Sequence, residues 1–292
     1  MQLLQWFTAP LQNEFMVKAI LVSALVGMVC SVLSCYMTLK GWALMGDAVS
    51  HAVMPGVVIA YILKIPFAVG AFVFGVGSVI AIGFIKAKTR IKEDTVIGLV
   101  FTGFFALGLV LVSKTPSSVD LTHILFGNVL GISQADIIQT VIISVVTLVA
   151  IAILRKDLLL FCFDPTHARS IGLNTGVLYY ILLSLLSLTA VAGLQTVGII
   201  LIVAMLVTPG ATAYLLTDNF DHMMLIAMAS GVFSSVMGTY ISYHIDGATG
   251  GCIVVLQTLL FVVAMIFAPK HGLLVRAKKH KGVSIVGTDN RK

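Results

Sequence analysis

The stretch Trp42-Ala43-Leu44-Met45-Gly46-Asp47-Ala48-Val49-Ser50-His51-Ala52-Val53-Met54-Pro55-Gly56 decides how this chain is read. It has the apolar character of a membrane-spanning helix, yet it carries a carboxylate and an imidazole. A charged side chain at mid-bilayer costs at least about 2.5 kcal/mol on insertion scales, so such residues mark a functional site by default. Helix geometry puts positions i and i+4 on one face, which lets Asp47 and His51 point into one cavity. Carboxylate oxygen with imidazole nitrogen is a ligand pair for a divalent transition metal. A neutral His51 bonded to Asp47 would also serve as a polar packing pair between helices, and the small residues Gly46, Ala48, Ser50, Ala52 and Gly56 suit close helix approach or a pore lining alike. Pro55 cannot donate a helical hydrogen bond, so a bend or opening is expected one turn beyond His51.

The rest of the 292 residues fits a membrane setting: 59% are hydrophobic, 10% are charged, and the mean hydropathy is +1.08. Apolar runs of about 17–25 residues fall near 16–39, 42–63, 67–85, 95–113, 135–154, 177–193, 196–216, 222–243 and 251–268. The expected fold is therefore all-α and polytopic, with about nine transmembrane helices. The polar interruption Gly193-Leu194-Gln195-Thr196-Val197-Gly198 reads as a tight external turn or a broken helix, which leaves eight or ten spans open. The first fifteen residues lack Lys and Arg and any small-residue cleavage site, so the first span is expected to stay in the mature protein.

Short loops rich in Lys and Arg stay in the cytoplasm. Lys86, Lys88, Arg90 and Lys92 follow the third span, Arg155, Lys156 and Arg169 follow the fifth, and Lys270 opens a basic tail. Nine spans put all three regions on one side, with the C-terminus inside. Residues 1–270 then form the transmembrane domain and 271–292 a basic cytoplasmic tail suited to anionic lipid. The net charge of +6 is explained by this topology without nucleic acid. At about 1.5 Å rise per residue, Asp47 lies roughly 7 Å and His51 roughly 13 Å beyond Trp42, inside the hydrocarbon.

Two ligands are too few for a tight site, since Zn(II) takes about four and Mn(II) about six. A second copy across a two-fold axis would supply four, and two carboxylates would neutralise the cation. The four cysteines, Cys30, Cys35, Cys162 (read as a polar-loop residue) and Cys252, form neither a CxxC site nor a disulfide framework. Within the loop after the fifth span, Asp164 is expected to cap a short helix with Pro165 at its first position, and Gly172 to close it. Such a helix is a docking peg for another subunit or a plain connector. Gln195, Thr196 and Thr208 are hydrogen-bonding candidates near the site or interhelical packing residues, and Ser50 sits in the same class. Pro209 with Gly210 is a candidate flexing point, and His123, His244 and Asp246 fall in external loops.

These motifs together resemble the membrane subunit of the metal-ion uptake family of ATP-binding-cassette transporters. The resemblance rests on Gly46-Asp47 through Pro55-Gly56, on Arg90-Ile91-Lys92-Glu93-Asp94-Thr95-Val96-Ile97-Gly98, on Asp164-Pro165-Thr166-His167-Ala168-Arg169-Ser170-Ile171-Gly172-Leu173, and on Leu194 through Ala213; it spans roughly residues 15–270. It implies a type II, vitamin B12 permease-like importer fold in a bacterial inner membrane. It further implies two permeases, a cytoplasmic ABC ATPase dimer and an extracytoplasmic metal-binding protein. The resemblance places Asp47 and His51 at the pore and makes 164–172 a coupling helix, with Asp164, Ala168, Arg169 and Gly172 as its ATPase-coupling residues. The wording Leu39-Lys40-Gly41-Trp42-Ala43-Leu44-Met45-Gly46-Asp47 is similar to the manganese and chelated-iron branch, so Mn(II) or Fe(II) is the expected cargo ahead of Zn(II), with no tightly bound cofactor.

The chain has no GxxxxGK[ST] phosphate loop, so a permease role draws its energy from a partner or an ion gradient. A proton-coupled secondary metal transporter with Asp47 and His51 as relay is one alternative, and a passive metal channel another. An intramembrane protease would need GxGD with a second intramembrane Asp, or HExxH, and the chain has neither pattern.

Overall fold

A computed structural model describes residue 10, residues 12–115 and residues 133–268. Among them every regular element is helical. In chain order they are α1 (Glu14–Lys40), α2 (Met45–Ala52), α3 (Met54–Leu63), α4 (Phe67–Lys88), α5 (Glu93–Lys114), α6 (Gln134–Phe163), α7 (Pro165–Ser170), α8 (Thr175–Val197), α9 (Ile199–Leu216), α10 (Phe220–Ile245) and α11 (Thr249–Phe267). Counting α2 and α3 as one pass, eight among the described residues are long and apolar enough to cross a membrane, and α9 is a shorter apolar ninth. The division between permease domain and tail at residue 270, and His123, lie outside the described residues.

α1 is the central post, packed against α6, α8, α9 and α10. Its contact with α10 is antiparallel and made of small side chains. Asn13 Nδ2 donates to Tyr243 Oη at 3.2 Å, Ser23 and Thr239 share a hydrogen bond at 3.1 Å, and Gly27 and Ser31 face Ser235 and Gly231. Lipid supplies no hydrophobic drive for helix association, so such close packing of small residues holds spans together. α9 contains Pro209, which breaks its own ladder. Ser34 of α1 braces the same turn from outside: its Oγ donates to Val207 O at 3.1 Å and accepts from Gly210 N–H at 2.9 Å. Pro209 is thus buttressed by a neighbouring helix, as a proline in a span requires.

Three regions marked in the sequence take a definite form in the structure, each with a physical cause. The second span is two helices, parted at Val53 just before Pro55, which is the opening that proline predicts. The helix of the fifth span continues to Phe163, past the apolar run that ends near 154; thirty residues make about 45 Å of helix, more than the hydrocarbon core of about 30 Å. Its last turns stay helical because Leu158, Phe161 and Cys162 bury themselves in the core, so Cys162 is a helical residue and not a loop residue. All four cysteines are free. The interruption at 193–198 resolves to one residue, Gly198, at φ 87° and ψ 163°. A Cβ on Gly193 would meet Ile202 Cγ1 at 2.7 Å, whereas residues nine apart in one helix stand about 13 Å apart. The chain therefore folds back at Gly198, and α8 and α9 are separate helices.

One end of the bundle gathers the charged loops. Lys86 pairs with Glu93, Arg155 with Asp221, and Lys40 Nζ donates to Phe161 O at 3.3 Å. α7 follows α6 at this same end.

Candidate functional site

α2 packs against α4, α5, α8 and α9. Met45, Gly46, Ala48, Val49, Ser50 and Ala52 are all buried. Only Asp47 and His51 of this helix reach the surface of the chain, their side chains 39% and 22% exposed. The i,i+4 spacing puts them side by side, with His51 Nε2 3.2 Å from Asp47 Oδ1. With metal–ligand bonds of about 2.1 Å, neighbouring donors stand about 3.0 Å apart in an octahedron and about 3.4 Å in a tetrahedron. The 3.2 Å separation falls between these two values. Among the described residues no third His, Cys, Asp or Glu joins them.

α5 supplies a wall that the sequence reading missed. His51 meets Phe101 and Phe105 edge-on, with ring centroids 5.4 and 5.2 Å away, and the two phenyl rings stack at 6.0 Å. His51 Nδ1 is buried there without a hydrogen-bond partner. The aromatic wall fixes the imidazole plane while leaving one open side. Its signal was the Phe101/Phe105 spacing of four in a span otherwise read only for length.

The other candidates lie apart from the pair. Ser50 donates its hydroxyl to Gly46 O at 2.7 Å, back into its own helix. Pro55 packs its Cδ against the backbone of Gly108 in α5. Thr208 offers its carbonyl to Thr212 Oγ1 at 2.7 Å, and neither it nor Pro209 bonds to Asp47 or His51. Gln195 and Thr196 belong to the last turn of α8, and their side chains lie outside the described residues. His244 meets Tyr240 and Tyr243 edge-on at the end of α10, beside Asp246 at φ 50°, and both are remote in the chain from α2.

The short helix expected after the fifth span is present as α7. Asp164 Oδ1 accepts from the N–H groups of Thr166 and His167, both at 2.9 Å. The His167 N–H, and with it that of Thr166, holds the Asp164 carboxyl below the usual carboxylate range. Pro165 occupies the first turn and Gly172 the left-handed region at φ 89°. Ala168 is fully buried and its carbonyl accepts from Leu173 N–H at 3.0 Å. Arg169 Nε donates to Thr175 Oγ1 at 2.8 Å, tying α7 to the first residue of α8. Phe163 and Ile171 flank α7 at 79% and 58% exposure. Two large apolar groups thus stand exposed beside a capped helix.

A helical bundle with eight candidate membrane passes among its described residues, a broken second span, a carboxylate–imidazole pair on its flank and a capped helix at its charged end is the architecture of a membrane permease. The ABC 3 transport family matches residues 12–268, and the chain belongs to that family. It is a permease subunit of an ABC transporter; ATP hydrolysis resides on a separate subunit. The chain is 64% identical over 287 residues to the manganese transport system membrane protein MntB of Synechocystis sp., covering 98% of this chain and 94% of the relative. It is 53% identical over 258 residues to the chelated iron transport system membrane protein YfeD of Yersinia pestis, covering 88% and 87%. The solved structure of PsaBC from Streptococcus pneumoniae in complex with Fab superposes with a TM-score of 0.82 at 40% identity, covering 91% of this chain and 96% of that one.

Proposed function

We propose that two copies of this chain form the pore of an ATP-driven importer of manganese or iron, with Asp47 and His51 of each copy facing one another as the metal gate. The observation that carries this reading is that α2 is buried everywhere except at these two residues. A ligand pair opening onto the outside of a single bundle is half a site. Two copies give four donors, and two carboxylates offset a divalent charge that would otherwise be costly in low dielectric. The names of the relatives support manganese or iron as the cargo, and the 3.2 Å donor spacing admits zinc as well.

The same reading assigns α7 to a groove on a cytoplasmic ATPase dimer and delivery of the metal to an extracytoplasmic binding protein. The clustering of Lys40, Lys86 and Arg155 at the end that bears α7 supports a cytoplasmic placement of that end and of the C-terminus. The tail from 271 to 292 then lies against anionic lipid. Mn(II) uptake by the assembled transporter in proteoliposomes tests the gate. Asp47→Ala is expected to abolish uptake with assembly intact, and normal uptake by both Asp47→Ala and His51→Ala would refute it. Uptake that persists without the ATPase would refute the energy source, and a reporter at Lys292 detected externally would refute the orientation.

A further inference from the structure

Trp42 is 2% exposed and sits where two routes from α7 meet. The first leaves through α8. Arg169 bonds Thr175, the first residue of α8, and Tyr179 stands one turn further on. The Tyr179 ring meets the Trp42 ring edge-on, centroids 5.4 Å apart at 88°. Lys86 backs Tyr179, its Nζ 5.4 Å from the ring centroid, and is itself held by Glu93. The second route leaves through α6, which Asp164 joins directly to α7. In the last turn of α6, Phe161 lies 4.0 Å beneath Lys40 Nζ, and the same ammonium sits 5.9 Å from the Trp42 ring.

Beyond Trp42 lies α2. Gly41 turns the chain through the left-handed region at φ 74°, so α2 is not a rigid continuation of α1. Trp42 N–H donates to Met37 O at 2.9 Å, and its carbonyl accepts from Met45 N–H, the first residue of α2, at 3.1 Å. Asp47 follows two residues later. The indole is thus a stiff, buried body lodged between both flanks of α7 and the start of the helix that carries Asp47 and His51. Packed interiors pass displacement between discrete arrangements along such contacts.

We infer that Trp42 is a positioning residue that transmits movement of α7 to α2, so that the Asp47–His51 pair is displaced when the ATPases close. The inference rests on the roles proposed above for α7 and for the pair. It makes the Trp42–Tyr179 contact the coupling element and assigns Trp42 no contact with the transported cation.

The test uses the complete transporter, permease with its ATPase and binding protein, in proteoliposomes, with Mn(II) as the probe. Two quantities are read: Mn(II) transported per ATP hydrolysed, and the KM for Mn(II). In Trp42→Ala and in Tyr179→Leu the ratio is expected to fall about tenfold while KM stays within about twofold, a split that loss of metal binding would not give. Trp42→Phe, which keeps a ring against Tyr179, restores most of the ratio. The double variant is no worse than either single one, because both remove one contact. Should Trp42→Ala fail to assemble, Tyr179→Leu decides the matter with the indole in place. A normal ratio in Tyr179→Leu, or a loss in Trp42→Phe as deep as in Trp42→Ala, overturns the inference. Asp47→Ala is run alongside: its normal uptake would refute the gate, whereas its lost uptake beside a normal Tyr179→Leu refutes the relay alone.

Discussion

Gly56, the glycine that closes the Asp47–His51 motif, lies where α3 crosses α4, and replacing it with Ala should loosen the site's support. A Cβ on Gly56 would stand 2.6 Å from the carbonyl carbon of Gly70 and nearer still to its oxygen, with Phe74 Cβ at 2.9 Å. The obstacle is backbone, so no rotamer can yield. Ordinary Cβ contact begins near 3.4 Å, so the helices must part by about 1 Å, a disturbance of the kind that costs roughly 1–3 kcal/mol in a packed core. Gly77, also on α4, has nothing within 4 Å of its added Cβ. There, Ala brings only its better helix propensity, up to about 1 kcal/mol in favour. The buried cysteines Cys30, Cys35 and Cys162 provide the assay, because a thiol-reactive fluorophore reports their exposure on heating in detergent. At about 2–4 °C per kcal/mol, Gly56→Ala should lower the midpoint by several degrees and Gly77→Ala leave it level or higher. Equal midpoints for the two variants would refute the crossing argument, and so would an undisturbed Gly70→Ala, since Gly70 faces the Gly56 carbonyl reciprocally.

Three further outcomes follow from the geometry. The Asp164 carboxyl is held below its ordinary range by backbone N–H groups it loses on unfolding, so the cap is intact above that range and fails as pH falls through the lowered value. Amide exchange at Thr166 and His167, corrected for its intrinsic pH dependence, should accelerate there in the native chain and not in Asp164→Asn. Gly172→Ala places a Cβ in the left-handed region at φ 89°, costing about 1 kcal/mol; weaker ATPase co-purification checks it, and unchanged coupling would remove Gly172 from the docking surface. Arg155→Ala removes a pair with Asp221 whose side chains are 43% and 70% exposed; a midpoint shift above about 4 °C, the equivalent of more than about 1 kcal/mol, would contradict its weak, solvated character.

Legibility of the site followed the range of the forces involved. The Asp164 cap, the Pro165 start and the Gly172 stop of α7 were readable because each is a contact between residues a few positions apart. Pro55 announced the break at Val53 for the same reason. The continuation of α6 past Arg155, Lys156 and Asp157 was not legible, because the apolar run ends there and the burial of Phe161 and Cys162 that carries the helix onward depends on α1. The aromatic wall of Phe101 and Phe105 around His51 was missed because hydropathy counts a phenylalanine without saying which helix it faces.

By itself the sequence determined the spans, the basic end and the Asp47–His51 pairing, since transfer of apolar side chains into lipid is summed residue by residue along a segment and helix pitch relates i to i+4 without outside help. Only the tertiary structure decided that α2 is buried on every side but the one bearing Asp47 and His51, that Gly198 turns the chain back as two helices, and that Trp42 lies between α7 and α2. The first and last depend on contacts between residues tens to more than a hundred positions apart, and the turn at Gly198 on Gly193 meeting Ile202 across it; such packing has no local signature in the chain.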